Sequence, residues 1–207
     1  MNLNLPTQAF INKFIAKSKF FEKSFVNTKL KNDFAHKIKR ITWEYKLAEE
    51  TINIDKTENV EEIQIFKIEL KEKAIPKNLL KIIDRLIPYP ILYTFVYNDH
   101  AAFGITLKSE KGKNYYFSKW DEELKFDFNG LNLEKIYQNL IEQFIVKVDT
   151  KDKNFKDIIK VDSRIKELEK EIISLKNKIK KEKQFNKKVE LNKILLKTKK
   201  ELEKITL

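Results

Sequence analysis

The fold is decided by one stretch of the chain, VEEIQIFKIELKEKAIPKNLLKIIDRLIPYPILYTFVY, which runs from Val60 to Tyr97. Residues 60–70 alternate between apolar and polar side chains, with a slip near the middle that makes both faces partly apolar. This pattern indicates an inner β-strand or a bulge. Residues 76–86 have helical spacing and are followed by prolines, and residues 91–97 are apolar on both faces. The stretch predicts two strands joined by a helix that crosses over the sheet.

Downstream of this stretch, two more strands are predicted. Residues 101–108 alternate cleanly, and residues 114–120 follow after a turn at Gly112. An amphipathic helix over residues 133–148 then closes the domain. We therefore expect an α+β fold with a small mixed sheet of about four strands and flanking helices.

Upstream, the apolar residues recur at steps of three and four. Residues 10–15 carry one such face and residues 30–48 carry a longer stripe. Both patterns predict helices. In the second helix, Arg40, Trp43 and Lys46 would share one exposed face.

The C-terminal part has a different organisation. Residues 1–148 are predicted to form the globular domain, residues 149–160 a polar linker, and residues 161–207 a coiled coil. Its two apolar seams fall out of register at Phe185 and Asn186, so we expect an antiparallel hairpin whose tip lies there, with Asn186 in the left-handed conformation. The alternative is one continuous helix with a stutter. The seams are Ile165, Leu168, Ile172, Leu175 and Ile179, then Leu191, Leu195, Leu202 and Ile205.

The composition argues against several classes of site. With only three glycines, far apart, a glycine-rich phosphate loop is not expected, so we predict no nucleotide cofactor. The absence of cysteine excludes disulfides and thiolate metal sites and fits a reducing compartment. The two histidines are distant in sequence, and no apolar run reaches the length of a membrane span. We expect a cytoplasmic protein without a metal ion or other cofactor.

The charge is concentrated near the C-terminus. The formal net charge is +12, and residues 151–207 hold 19 Lys and Arg against 10 Asp and Glu. Residues 1–150 hold 24 against 21. A basic surplus in one segment is typical of contact with a polyanion, so nucleic acid is the expected partner.

Two groups of residues are candidates for that contact. Trp43 with Arg40 and Lys46 could stack on a base and meet phosphate, although the usual burial of tryptophan favours packing of Trp43 on the sheet, with the two cations solvated. At the predicted hairpin tip, Phe185 lies among lysines that could otherwise form an ordinary solvated face. The tip lysines are Lys178, Lys180, Lys181, Lys183, Lys187 and Lys188.

An enzymatic alternative rests on acidic residues. Glu69 and Lys71 have the spacing of a magnesium-dependent nuclease, in which carboxylates such as Glu62 and Asp84 would complete the metal site. The structural alternative for Asp84 is a buried ion pair with Arg85. A third possibility is a coiled-coil adaptor that joins proteins without touching nucleic acid.

Four stretches together resemble the prokaryotic family catalogued as domain of unknown function 4391. The resemblance implies a companion of helicases and DNA methyltransferases in restriction or defence gene clusters, and it assigns no role to any residue. We therefore expect a non-catalytic nucleic-acid-binding and scaffolding subunit of such an assembly, with DNA favoured over RNA and a larger protein such as a helicase or methyltransferase as partner. The stretches are ITWEYKLAEETINI (41–54), EIQIF (62–66), IIDRLIPYPIL (82–92) and EKQFNKKVELN (182–192).

Overall fold

The chain forms two compact units, Met1–Phe144 and Ile145–Leu207, and each is described by itself. The sequence had placed this boundary after Val148. The structure is a computed structural model, and it describes residues 3–22, 27–109, 112–128, 130–151 and 153–206.

The first unit combines one sheet with helices, and the second contains two long helices. In the first unit, a short 3-10 helix (Thr7–Ala9) is followed by β1 (Phe10–Phe14), α1 (Ser18–Glu22), α2 (Thr28–Lys37), β2 (Ile38–Ala48), α3 (Glu49–Ile52), β3 (Glu62–Leu70), α4 (Lys77–Leu86), β4 (Ile91–Tyr97), β5 (His100–Ser109), β6 (Gly112–Phe117) and α5 (Leu133–Glu142). In the second unit, the helices are α6 (Phe155–Lys181) and α7 (Phe185–Ile205).

The strand–helix–strand prediction for residues 60–97 is confirmed. β3 and β4 pair in parallel, from Gln64 opposite Ile91 to Glu69 opposite Val96. α4 connects them. Both strands are inner strands, as their apolar character on both faces predicted, because parallel strands joined by a crossover helix are covered on both sides.

The sheet has six strands in the order β1-β2-β3-β4-β5-β6, so the prediction of about four strands was too low. All neighbouring pairs except β3 and β4 are antiparallel. The additional strands are β1 and β2, which occupy segments predicted to be helical. α2 does begin where the second helix was expected, at Thr28 with the Asn27 side chain accepting from the Leu30 N–H, but it ends at Lys37.

Two bulges explain why β2 imitates a helix in the sequence. Against β3, the register shifts between Ile38 and Arg40 and again between Trp43 and Tyr45. Each extra residue reverses the alternation of side chains between the two faces. Ile38 and Ile41 are therefore three residues apart and still share one face, which converts the two-residue period of a strand into an apparent helical one.

Helices cover both faces of the sheet. One face buries a cluster in which Phe34 of α2 and Leu80 of α4 lie against Ile41 and Phe66. Alternate residues of the same strands, such as Ile65, are also fully buried. α5 contacts β3, and its buried residues are absent from the first cluster, so we assign it to the opposite face.

The second unit is an antiparallel helical hairpin, as predicted. Ile172 and Leu175 of α6 pack on Leu195 of α7, and Arg164 reaches Glu201 at 2.6 Å near the end away from the turn. α6 begins at Phe155, inside the segment 149–160 that was predicted to be a linker.

The turn of the hairpin differs from its prediction. The reversal occupies residues 182–184, and Asn186 lies in the first turn of α7 with no left-handed conformation. Glu182 makes the reversal: its Oε1 accepts the backbone N–H groups of Lys183 and Gln184, both at 2.8 Å. This carboxylate compensates N–H groups that would otherwise lack partners at the start of α7.

Replacing Gly104 with alanine should destabilise the first unit. A Cβ there would lie 2.9 Å from Phe95 Cε2 and 2.9 Å from Phe117 Cδ1, so the rings must move. We expect a loss of about 1–3 kcal/mol, measured by urea unfolding. The double variant G104A/F117L should regain part of this loss, because leucine removes the nearer ring atoms. A wild-type urea midpoint for G104A would contradict this ring packing.

Candidate nucleic-acid interface

The hairpin tip brings together lysines from two helices. Lys178, Lys180 and Lys181 lie in the last turn of α6. Lys183 lies in the turn, and two further lysines, Lys187 and Lys188, open α7. The reversal of the chain at residues 182–184 therefore groups these six lysines at one end of the hairpin.

Phe185 is the first residue of α7, and 77% of its surface is exposed. It therefore takes no part in the apolar seam between the helices. A phenylalanine this exposed leaves its apolar surface in water unless a partner covers it. The tip presents one aromatic ring within a group of cations.

Among the described residues, the tip cations form no direct ion pair, whereas Lys147, Arg164 and Lys166 of the same unit do. Within residues 153–206, none of the six tip lysines lies within 4.0 Å of a carboxylate. Away from the tip, Arg164 pairs with Glu167 and Glu201, and Lys166 lies 2.8 Å from Asp162. The charge of Glu182 offsets part of the charge of Lys187 and Lys188, and the tip keeps a positive surplus.

The acidic residue at the tip serves the backbone. The two N–H groups bonded by Glu182, that of Gln184 foremost, hold the pKa of its carboxyl below the usual value. Glu182 is therefore ionised at neutral pH and remains committed to the turn. A groove of about 720 Å³ opens beside it, lined by Lys178, Lys181, Glu182, Lys183, Gln184, Lys187, Glu190, Leu191 and Ile194.

The predicted cluster of Arg40, Trp43 and Lys46 does not form. These residues lie on β2 and not on a helix, and Arg40 and Trp43 point to opposite faces of the sheet. Trp43 packs against the core and donates its indole N–H to the Tyr45 carbonyl at 3.1 Å. The core alternative for Trp43 is thus the one that the structure supports.

Lys46 is also engaged within the protein. Its ammonium lies 2.6 Å from Glu50 and 3.2 Å from Glu62. The hydrogen bond to Glu50 contributes most to raising the pKa of Lys46, so the ammonium stays charged and paired. Of the three predicted residues, only Arg40 has an exposed side chain.

Arg40 has aromatic neighbours that the sequence did not predict. Its guanidinium lies 5.3 Å from the centre of the Phe14 ring. Phe10 lies at the other end of β1, and its ring centre is 5.2 Å from that of Tyr45. The sequence analysis had assigned both phenylalanines to the apolar face of a helix. Their position beside Arg40 and Tyr45 follows from the pairing of β1 with β2, which the local sequence pattern does not reveal.

The nuclease candidates are separated in the structure. Glu62 and Glu69 lie at the two ends of β3, about 23 Å apart at the usual rise of a strand, and they point to opposite faces. Glu69 pairs with Lys39 at 3.7 Å, and Lys71 is exposed just beyond the strand. In the described part of the chain, no three His, Cys, Asp or Glu side chains are arranged to hold a metal ion.

Asp84, the fourth candidate, is a buried structural acceptor. It is 2% exposed, and its carboxylate accepts the Thr106 hydroxyl at 3.2 Å and the Tyr115 hydroxyl. The predicted buried ion pair with Arg85 is wrong, because Arg85 is exposed. Burial, together with the hydrogen bond to Asp84, raises the pKa of Tyr115, so this tyrosine remains a neutral donor.

Asp84→Ala should therefore reduce stability. Its removal leaves the hydroxyls of Thr106 and Tyr115 without their acceptor, and each unpaired buried group costs about 1–3 kcal/mol. Urea unfolding should show a smaller loss for Asp84→Asn, whose amide oxygen still accepts. Asp99→Ala, on an exposed turn, is the matched control and should leave the midpoint unchanged. An Asp84→Ala protein as stable as the wild type would refute this role.

No helix in the described residues has the length and apolar character needed to cross a membrane.

Comparison with known proteins identifies the family. No curated protein and no solved structure matches the chain. The family model described as Domain of unknown function (DUF4391) matches residues 3–202, nearly the whole sequence, which confirms the resemblance found in the four stretches. The chain belongs to the DUF4391 family.

Proposed function

We propose that this protein is a non-catalytic nucleic-acid-binding and scaffolding subunit of a prokaryotic defence or restriction-modification-type assembly. The observation that carries the proposal is the hairpin tip, where six lysines that form no ion pair within 4.0 Å among the described residues lie at the same end of the hairpin as the exposed ring of Phe185. DNA is the favoured nucleic acid, and a larger protein such as a helicase or methyltransferase is the proposed protein partner. We place this assembly in the cytoplasm.

The chemistry of the tip suits phosphate better than a protein carboxylate. Lysines distributed around a turn can each meet a different phosphate of a flexible or helical strand, and each contact releases condensed counterions. Phe185 adds a ring that can stack on an unpaired base. An adaptor that bound only protein would leave the clustered lysines without a function, and its affinity would depend less on salt.

Neutralising the tip should weaken DNA binding. In the variant K180Q/K181Q/K187Q/K188Q, affinity for a fluorescein-labelled 20-base-pair duplex should fall at least about tenfold at 0.1 M salt. The slope of log affinity against log salt should become shallower by as much as about 3.6, because each phosphate that a lysine no longer neutralises accounts for about 0.9. Fluorescence anisotropy over a salt series measures both.

A matched control removes the same number of positive charges as the tip variant. The variant K156Q/K160Q/K170Q/K197Q removes four exposed lysines that lie away from the tip. It should bind almost as tightly as the wild type. Equal losses in the two variants would mean that overall charge, and not the tip, governs binding, and the proposed contact would be wrong.

The isolated protein should not cut nucleic acid. With magnesium or manganese, labelled DNA and RNA should remain intact on denaturing gels, because Glu62, Glu69 and Asp84 do not converge. Cleavage that disappears in Glu69→Ala, but persists in Glu61→Ala, which changes an exposed carboxylate just before β3, would establish the nuclease alternative in place of the proposed function.

A further inference from the structure

Two phenylalanines on the edge strand of the sheet are half-exposed, and the function proposed for the hairpin tip gives no reason for their exposure. Phe10 is 50% exposed and Phe14 is 57% exposed, and every residue of β1 is exposed. A contiguous exposed apolar patch on a protein surface often marks a contact site. β1 lies in the first unit, so these rings constitute a surface distinct from the tip.

The rings share one face of the sheet with basic side chains. In the register of β1 and β2, Phe10 lies opposite Tyr45 and Phe14 lies opposite Thr42. Arg40 donates from Nε to the Thr42 hydroxyl at 3.3 Å, which places its guanidinium on the same face as Phe14. We call Phe10, Phe14, Arg40 and Tyr45 the aromatic platform.

The cations beside the platform are available to an anionic partner. Arg40 is exposed and has no ion pair within 4.0 Å among the described residues. Lys39, whose side chain is 70% exposed, makes only a long contact of 3.7 Å with Glu69. Phosphate oxygens can bind Arg40 directly and can replace Glu69 at Lys39, while Arg40 keeps its position over the Phe14 ring.

We infer that the aromatic platform is a binding site for single-stranded nucleic acid, whose bases stack on Phe14 and Phe10 while Arg40 and Lys39 hold the phosphates. Aromatic rings with cations beside them on one sheet face suit the bases and phosphates of a single strand. In a duplex the base faces are already stacked and cannot reach these rings. The inference rests on the proposed function and adds to it the recognition of unpaired bases.

A protein strand added to the edge of β1 fits this surface less well. The register of β1 against β2 shifts between Phe10 and Lys13, and Asn12 has a φ of 48°. A bulge of this kind interrupts the row of backbone groups with which another strand would pair. A partner of this surface would therefore bind the side-chain rings, and not the backbone edge of β1.

The test measures binding of a labelled 20-nucleotide oligothymidylate by fluorescence anisotropy. Phe14→Ala should lower affinity about tenfold, within the range found for removal of a stacking ring. Phe14→Leu keeps the apolar character without a π-face and should lose as much, whereas Phe14→Trp should bind at least as tightly as the wild type. Affinity for a duplex of equal length should not change in any of these variants.

Controls separate this inference from folding and from the proposed function. Ile11→Ala, an exposed aliphatic change in the same strand, should bind normally, and circular dichroism should confirm the fold of each variant. If Phe14→Leu binds like the wild type, stacking is excluded and the platform is a general apolar surface, as a protein partner would need. If tip variants lose binding and Phe14→Ala does not, the inference fails and the proposed function stands. If the wild type binds neither oligonucleotide, both fail.

Discussion

The parallel pairing of β3 with β4 is the constraint on which the first unit depends. Parallel neighbours cannot be joined by a tight turn, so their connection must cross a face of the sheet. α4 is that connection, and it buries Leu79, Leu80 and Ile83 in the cluster on this face. The crossing also brings Asp84 to Thr106 of β5, which adds a buried polar contact between the helix and the sheet. The position of α4 on this face of the sheet is therefore fixed by the pairing of β3 with β4.

The return from α4 to β4 shows how the chain satisfies the backbone after a helix ends. Prolines at 88 and 90 prevent the helix from continuing, so carbonyl groups near this turn have no helical N–H to accept. Lys108 supplies the donors: its ammonium lies 2.8 Å from the Ile87 carbonyl, 2.7 Å from that of Pro88 and 2.6 Å from that of Tyr89. This lysine contributes to the basic composition of the chain, but its charge is committed to the fold, unlike the charges at the hairpin tip.

Sequence periodicity correctly predicted the helices and strands in which each face is either buried or exposed along its whole length. The β3–α4–β4 segment and the two seams of the hairpin are of this kind.

β2 was missed because bulges at Lys39 and Glu44 gave its buried residues helical spacing. As a result, Arg40 and Trp43 were predicted to share a helix face, although they lie on opposite faces of the sheet. At the tip, lysines close in sequence are also close in space, so that part of the site was accessible to sequence reasoning. Phe14 and Arg40 meet only through strand pairing, which no local pattern encodes.

The spatial order of the strands follows their order in the chain. Every strand therefore finds its hydrogen-bonding partner in the strand synthesised immediately before or after it, and the two helices of the hairpin are likewise consecutive. Loop closure between sequence neighbours costs little entropy, and folds rich in such contacts form quickly. A nascent chain can extend this sheet one strand at a time as it leaves the ribosome, so that each new strand covers the edge left by the one before it. Interruption of synthesis after β4 would leave the apolar edge of an inner strand exposed, whereas completion of β5 and β6 covers it.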